Sequence, residues 1–299
     1  MDFLGEEEVR ALLTYEALIP AVERALIGLS TGMVRQPLRS VMRIPEHEGI
    51  LGLMPASDGE LIGIKLVTIY ERNLQQPTHQ AVIQLFSAKT GEPLVAMDGR
   101  LITEMRTAAV SAGAVRLLAR RDARVLAILG SGVQARSHVQ ALRMVRNFEE
   151  VRVWSRTEEN AARFAEQFGA RAMATAEAAV RGADVVVSAT STHQPLVRGE
   201  WLSKGALVCA VGAVGPEKRE VDDAAMQGTV VVESREAALT EAGDLIRSGA
   251  PIAAELGELL AGGRKLSETD RWVVFKSLGV GATDLAAVRI VWERYRAGR

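Results

Sequence analysis

"RVLAILGSGVQARSHVQAL", residues 124–142, is the stretch on which the fold turns. An apolar run ends at Gly130-Ser131-Gly132, and a segment with helical spacing begins at once. A buried strand, a glycine turn and a helix in that order let a pyrophosphate approach the backbone, because glycine adds no side chain there. The start of the helix leaves N–H groups unpaired and carries the positive end of the helix dipole. The spacing Gly130-x-Gly132-x-x-Ala135 is weak evidence by itself, since glycines also end strands for steric reasons. Its surroundings strengthen it.

Downstream, the apolar runs "VRVWS", "DVVVSAT", "ALVCAVG" and "TVVVES" alternate with alanine-rich helical segments. Alternation of this kind marks a parallel sheet covered by helices on both faces. The expected fold class is therefore α/β, with a Rossmann-type doubly wound parallel sheet over residues 119–275. In a site that prefers NAD, the second strand ends in Asp or Glu for the ribose 2′-hydroxyl. Here Ser155, Arg156 and Thr157 stand at that place, and an arginine with two hydroxyls suits a 2′-phosphate. NADPH is expected to bind better than NADH.

Upstream, residues 6–29 carry apolar positions at helical spacing, with Thr14 an N-cap for a helix starting near Tyr15. Short strands follow, "SVMRI", "ILGLM", "LIGIKLVTIY" and "QAVIQLF", and "SAKTGE" joins the last of them to "PLVAM" as an antiparallel hairpin. A long helix fits "ITEMRTAAVSAGAVRLLAR", with Arg106 and Thr107 expected in its first turn, a place that favours a carboxylate. "VVFKSLGVGATDLAAVRIVWERYR" reads as a strand, a glycine turn and a last helix. The first part thus reads as a mixed α/β domain, residues 1–118, to which residues 276–299 return. Lys65 lies inside an apolar strand, on the face of Gly63 and Val67, where a lysine is costly to bury without an anion.

Net charge is −1 and charges of both signs are mixed along the chain, so neither nucleic acid nor an anionic membrane is expected as a partner. Cys209 has no second cysteine to pair with and reads as a small buried hydrophobe. Four scattered histidines give no metal-ligand spacing, so no metal is expected. With no leader-like or membrane-length apolar run, a soluble cytoplasmic protein is expected. His79 is assigned a structural hydrogen bond in preference to a substrate contact. Asp98-Gly99 reads as a turn, and Asp284 as a charge at a helix start.

Almost the whole chain resembles the ornithine cyclodeaminase/mu-crystallin family, and most of all its mu-crystallin-like ketimine reductases. The resemblance rests on the order and spacing of "QPLRSV", "KLVTIYE", "VAMDGRLIT", "RTAAVSA", "ILGSGVQARSH", "VRVWSRTEENA", "AVGA", "REVDD" and "FKSLG". It implies a homodimer, each subunit having a Rossmann domain for the coenzyme and a second domain that binds substrate and pairs subunits. It also implies that Arg39, Lys65 and Arg106 are the carboxylate-binding and catalytic cations, with Thr78 at the substrate. Cofactor contacts are implied for Thr107, for Gly130, Ser131, Gly132, Val133 and Gln134, and for Ser155, Arg156 and Thr157. Thr190, Val211, Ser277, Leu278 and Gly279 are placed near the nicotinamide.

One position departs from the pattern. Ornithine cyclodeaminases carry an aspartate where this chain has Val214, and mu-crystallin-like proteins tend to have Ser-Arg where it has Val214-Gly215. Glu217 and Lys218 are then the nearby polar candidates for the substrate end. The implied activity is NAD(P)H-dependent reduction of 1-piperideine-2-carboxylate or 1-pyrroline-2-carboxylate. An amino-acid dehydrogenase of the alanine dehydrogenase type, an ornithine cyclodeaminase, and a non-catalytic NADPH-dependent small-molecule binding protein are the alternatives.

Overall fold

The computed structural model describes residues 1–190, 192–266 and 271–298. The chain opens with β1 (Asp2–Leu4), α1 (Glu6–Leu12) and α2 (Tyr15–Ser30). Five strands follow, β2 (Ser40–Ile44), β3 (Gly49–Ser57), β4 (Leu61–Ile69), β5 (His79–Ser87) and β6 (Pro93–Asp98), and then the long helix α3 (Arg100–Leu118). The middle of the chain begins with β7 (Val125–Leu129), α4 (Val133–Arg143), β8 (Glu150–Trp154), α5 (Glu158–Phe168), β9 (Arg171–Ala172) and α6 (Ala176–Val180). It continues through β10 (Val185–Ser188), β11 (Leu207–Ala210), β12 (Thr229–Val232), α7 (Arg235–Glu241) and α8 (Gly243–Ser248). Last come β13 (Ile252–Glu255), α9 (Leu256–Leu260), β14 (Val273–Lys276) and α10 (Gly281–Ala297). Two compact units result, residues 1–106 with 279–299, and residues 107–278. The division falls inside α3.

In the first unit the sheet runs β1-β6-β5-β4-β3-β2, with β1 parallel to β6 and the other pairs antiparallel. The hairpin expected around "SAKTGE" is β5–β6. One face carries Met54, Ala56, Ile83, Leu85, Val95 and Met97, all buried. Helix α10 packs on β3, β4 and α2. It comes close because glycine is used at the contact. A Cβ on Gly63 would stand 3.1 Å from the Leu285 side chain, and one on Gly281 would stand 3.1 Å from the Pro55 carbonyl oxygen. The other face presents Leu53, Leu66 and Val82 in one cross-strand row.

One expectation is corrected. Helix α3 begins at Arg100, where the Asp98 carboxylate accepts the Arg100 N–H at 2.9 Å. Arg106 and Thr107 therefore lie in its second turn, not its first. Any affinity of Arg106 for a carboxylate comes from its guanidinium and not from free helix N–H groups.

In the second unit the sheet runs β13-β12-β14-β11-β10-β7-β8-β9, and every pairing is parallel. Strands β8 and β9 build outward on one side of β7, whereas β10 and β11 build on the other. The order therefore reverses at β7, and ligands of such sheets lie beyond the carboxyl ends of the strands at that point. Strands β10 and β11 are buried along their whole length, as strands covered on both faces are. Cys209 sits in β11, and burial pushes its thiol up to about 12, so it is unreactive filling. The short strands β9 and β13 escape a reading by apolar runs, since β9 is two exposed residues and β13 is "IAAE".

Buried His138 fixes α4. Its ring nitrogens lie 2.7 Å from the Gln134 carbonyl oxygen and 3.0 Å from the Ser111 hydroxyl, which ties α4 to α3. Burial pushes this imidazole down to about 4, so it is neutral at pH 7. Nδ1–H then donates to Gln134, and Nε2 accepts from Ser111.

Candidate functional site

The first unit gathers the three predicted cations around a residue read from sequence as a structural helix-start charge. Lys65 points to the buried face of β4, in a cross-strand row with Met54, Ile83 and Met97. It is 2% exposed, and its ammonium meets Asp284 Oδ2 at 2.6 Å. Asp284, in the first turn of α10 and equally buried, accepts from Arg106 Nε through Oδ1 at 2.9 Å. Arg106 Nη1 is buried without a hydrogen-bond partner. Arg39, just before β2, donates from Nη2 to the Gly279 carbonyl oxygen at 2.7 Å.

Gly279 serves both arginines. Its φ of +76° is a conformation that glycine adopts freely. A Cβ there would stand 2.6 Å from Arg106 Nη1. The guanidinium thus lies flat against this backbone, and only a glycine leaves it room.

Electrostatics give the cluster its chemistry. Burial pushes Lys65 down to about 7; Asp284 pulls the other way, while Arg106 and Arg39 add to the fall. Asp284 is held below the usual carboxylate range, because Arg106 and Lys65 outweigh the effect of its burial. Lys65 and Arg106 share the Asp284 carboxylate, and this paired group, with an unpaired Arg106 guanidinium N–H, suits a small anion. Thr78 lies instead at the exposed approach to β5, its hydroxyl 3.2 Å from His79 Nδ1. His79 pairs with Ile69, whereas Lys65 pairs with Ile83, so both Thr78 and His79 sit four residues or more along the strand from the cluster.

The second unit holds the glycine turn. Gly130 has φ +114°, and a Cβ on it would collide with the Ala189 carbonyl oxygen at 2.6 Å. Gly132 is the N-cap of α4, and a Cβ there would meet nothing within 4 Å. The first N–H groups of this 11-residue helix therefore face an open cradle, with no capping side chain. Ser131 and Ser155 hydroxyls are 3.0 Å apart and link the turn to the end of β8. Arg156 and Thr157 are exposed, and Arg156 makes no ion pair among the described residues.

Thr190 follows β10 and its Oγ1 is buried without a partner, as is Gln134 Oε1 in the first turn of α4. These unpaired atoms, the open Gly132 and the free helix start fit a dinucleotide with its pyrophosphate on α4. Val133 is 56% exposed beside the turn, while Thr107, Val211, Ser277 and Leu278 are buried. Val214 and Gly215 are half-buried, and the Gly215 N–H donates to the Glu241 carbonyl oxygen at 2.9 Å. Glu217 is exposed and pairs with Arg247 at 2.7 Å.

Two sets of charged residues make buried contacts that the sequence does not show. Asp284 is one. The other is a buried group in the second unit, Lys276, Glu220 and Asp244. The signal available for both was a charge inside an apolar run, "VVFKSL" and "TDLAAV", the same signal that singled out Lys65.

The chain is similar to known proteins along its whole length. Residues 1–299 match the sequence model of the ornithine cyclodeaminase/mu-crystallin family. Ketimine reductase mu-crystallin of Mus musculus is 44% identical over 308 residues, covering 99% of this chain and 98% of that protein. The Thermococcus litoralis Delta(1)-pyrroline-2-carboxylate reductase, solved with NADH and L-proline, superposes with a TM-score of 0.94 at 33% identity, covering 100% of this chain and 98% of that one. An archaeal alanine dehydrogenase dimer with bound NAD gives 0.93 at 31% identity, with 99% and 96% covered.

Proposed function

The chain belongs to the ornithine cyclodeaminase/mu-crystallin family, and from that premise we propose that it reduces a cyclic ketimine carboxylate to the cyclic L-imino acid, with NAD(P)H as reductant. The substrate is 1-piperideine-2-carboxylate or 1-pyrroline-2-carboxylate. The observation that carries this reading is the Arg39–Lys65–Arg106 cluster, in which Lys65 and Arg106 share the Asp284 carboxylate and one Arg106 guanidinium N–H is unpaired.

In this reading Arg39 and Arg106 hold the carboxylate and orient the C=N carbon. Lys65 completes the anion site, and with its proton held only loosely at neutral pH it can also pass one to the ring nitrogen. Reduction of an already protonated imine calls for no carboxylate base, which agrees with Val214 in place of the cyclodeaminase aspartate. When bound, the reduced nicotinamide supplies the hydride. The glycine turn and the start of α4 hold the pyrophosphate, and Arg156 with Ser155 and Thr157 favours a 2′-phosphate.

A homodimer is part of the proposal. The uncovered face of the six-stranded sheet exposes Met42, Leu66 and Val82, apolar area that a second copy can bury. The archaeal alanine dehydrogenase neighbour is a dimer.

The test is a panel of both ring sizes and pyruvate with ammonia, each with NADPH and NADH, and of ornithine with the oxidised coenzymes. Turnover confined to the cyclic imines is expected, and Arg39→Ala should lower kcat/KM by about 10- to 100-fold. Turnover only with pyruvate and ammonia, or only with ornithine, would refute the proposal, as would undiminished activity in Arg39→Ala. Arg156→Ala should weaken NADPH binding about tenfold and leave NADH binding nearly unchanged. Equal losses for both coenzymes would remove the 2′-phosphate assignment.

A further inference from the structure

The group Lys276, Glu220 and Asp244 lies entirely within the second unit and is wholly buried. Its geometry is all directed at one stretch of backbone. Lys276, the last residue of β14, places Nζ 2.8 Å from the Ala213 carbonyl oxygen, 2.8 Å from Glu220 Oε2 and 3.1 Å from Asp244 Oδ2. The ammonium thus donates to Ala213 and Glu220 and forms an ion pair with Asp244. Although burial works against its charge, Glu220 and Asp244 hold this lysine above its ordinary value.

Glu220 also accepts the N–H groups of Gly212 and Ala213, each at 2.9 Å. Asp244 Oδ1 accepts those of Glu220 and Val221, at 2.7 and 3.1 Å. Gly243 clamps the loop from the other side, since a Cβ there would overlap the carbonyl oxygens of Lys218 and Pro216. The loop after β11 is therefore pinned through its backbone at both ends, and no polar side chain of Val214 or Gly215 takes part.

The same arrangement sorts the carboxyl edge of the sheet by charge. At β11 and β14 the N–H groups of Gly212, Ala213 and Leu278 are already taken by Glu220 and Glu233. A phosphate is repelled there by buried carboxylates that outnumber the ammonium. At β7 the N–H groups of the α4 start are open. The pyrophosphate belongs at β7, which leaves the β11 and β14 ends for the uncharged or cationic ring of the coenzyme.

We propose that Lys276, Glu220 and Asp244 are positioning residues for hydride transfer, a buried latch that holds the 211–215 backbone rigid beside the nicotinamide. It rests on the reductase reading and adds to it the means by which a loop lacking the usual polar residues keeps its shape. The latch acts on the transfer step and not on coenzyme affinity, which depends on the β7 turn.

The variants that test it are Glu220→Gln, close in shape, and the pair Lys276→Met with Glu220→Gln, which removes one charge of each sign and leaves the buried balance unchanged. Amide exchange in peptides spanning 211–221 is expected to speed up at least tenfold in the apo protein, with exchange near 130–134 unchanged. The Kd for NADPH, read from nicotinamide fluorescence, should stay within about threefold, while the bound-state emission of the coenzyme changes. For the imine, kcat should fall about 10- to 100-fold with KM within threefold, because small misplacements cost that much. Fully active variants, or exchange at 211–221 equal to wild type, would overturn the latch, as would a loss of NADPH affinity parallel to the loss of kcat. Wild-type protein inert toward every imine sinks the reductase reading instead, and the exchange and fluorescence measurements still judge the latch.

Discussion

Lys65 is the residue most sensitive to its setting. Placed in an apolar row between Met54 and Ile83, it keeps a proton mainly because Asp284 lies 2.6 Å away. With the group pushed down to about 7, the free enzyme loses the Lys65 proton as pH rises through neutrality. If the protonated form receives the carboxylate, kcat/KM is full below about pH 6 and falls about tenfold per unit above 8. Lys65→Arg, which stays charged, should abolish that limb, and a pH profile of both proteins decides it; an unchanged limb assigns the titration to the substrate imine. Asp284→Asn leaves two buried cations without their anion and should destabilise the fold by about 3–5 kcal/mol, measured by denaturant unfolding. In the sequence Lys65 stands out as a lysine interrupting a strand, but only resemblance assigns it a role. The sequence hid the role of Asp284 because a helix-start aspartate is commonplace and its partner Arg106 is 178 residues away.

At the scale of elements, glycines with different surroundings give opposite predictions. A Cβ at Gly132 meets nothing within 4 Å, so Gly132→Ala should melt within a degree or two of wild type yet lose coenzyme affinity, since the methyl occupies the phosphate's approach. Gly279→Ala should raise KM for the imine about 10- to 100-fold and affect coenzyme affinity less, because the new Cβ displaces the Arg106 guanidinium and the φ of +76° is strained for alanine. Thermal melts and fluorescence titrations of the two proteins distinguish the cases, and matching phenotypes would contradict both assignments. Helix α3 starts two residues before the apolar spacing places it, for a related reason. Apolar spacing announces a helix once it is under way, whereas the Asp98 carboxylate that starts this one is recognised only from its bond to the Arg100 N–H.

For the whole molecule, the exposed row of Leu66 and Val82 beside Met42 makes assembly a measurable consequence. Wild-type protein should sediment at twice the mass of one chain, and Leu66→Arg with Val82→Arg should sediment at the mass of one chain, with folding retained, because a buried charge pair of like sign is not tolerated at a packed face. A wild-type monomer would remove the dimer from the proposal. Among the described residues no helix is long and apolar enough to cross a membrane.

Local chemistry wrote much of this protein into its sequence. Apolar runs of four or five residues between alanine-rich segments determined the parallel sheet, and the strand-turn-helix order at 124–142 determined where an anion can approach, because both depend on neighbours in the chain. The three cations could be proposed from sequence only through resemblance. Their gathering around Asp284, the flat packing of Arg106 on Gly279 and the closure of Lys276 on Glu220 and Asp244 were decided by tertiary structure. Those contacts join residues far apart in the chain. A buried charge is tolerated only where folding brings its counter-charge within about 3 Å, and spacing along a sequence carries no record of that distance.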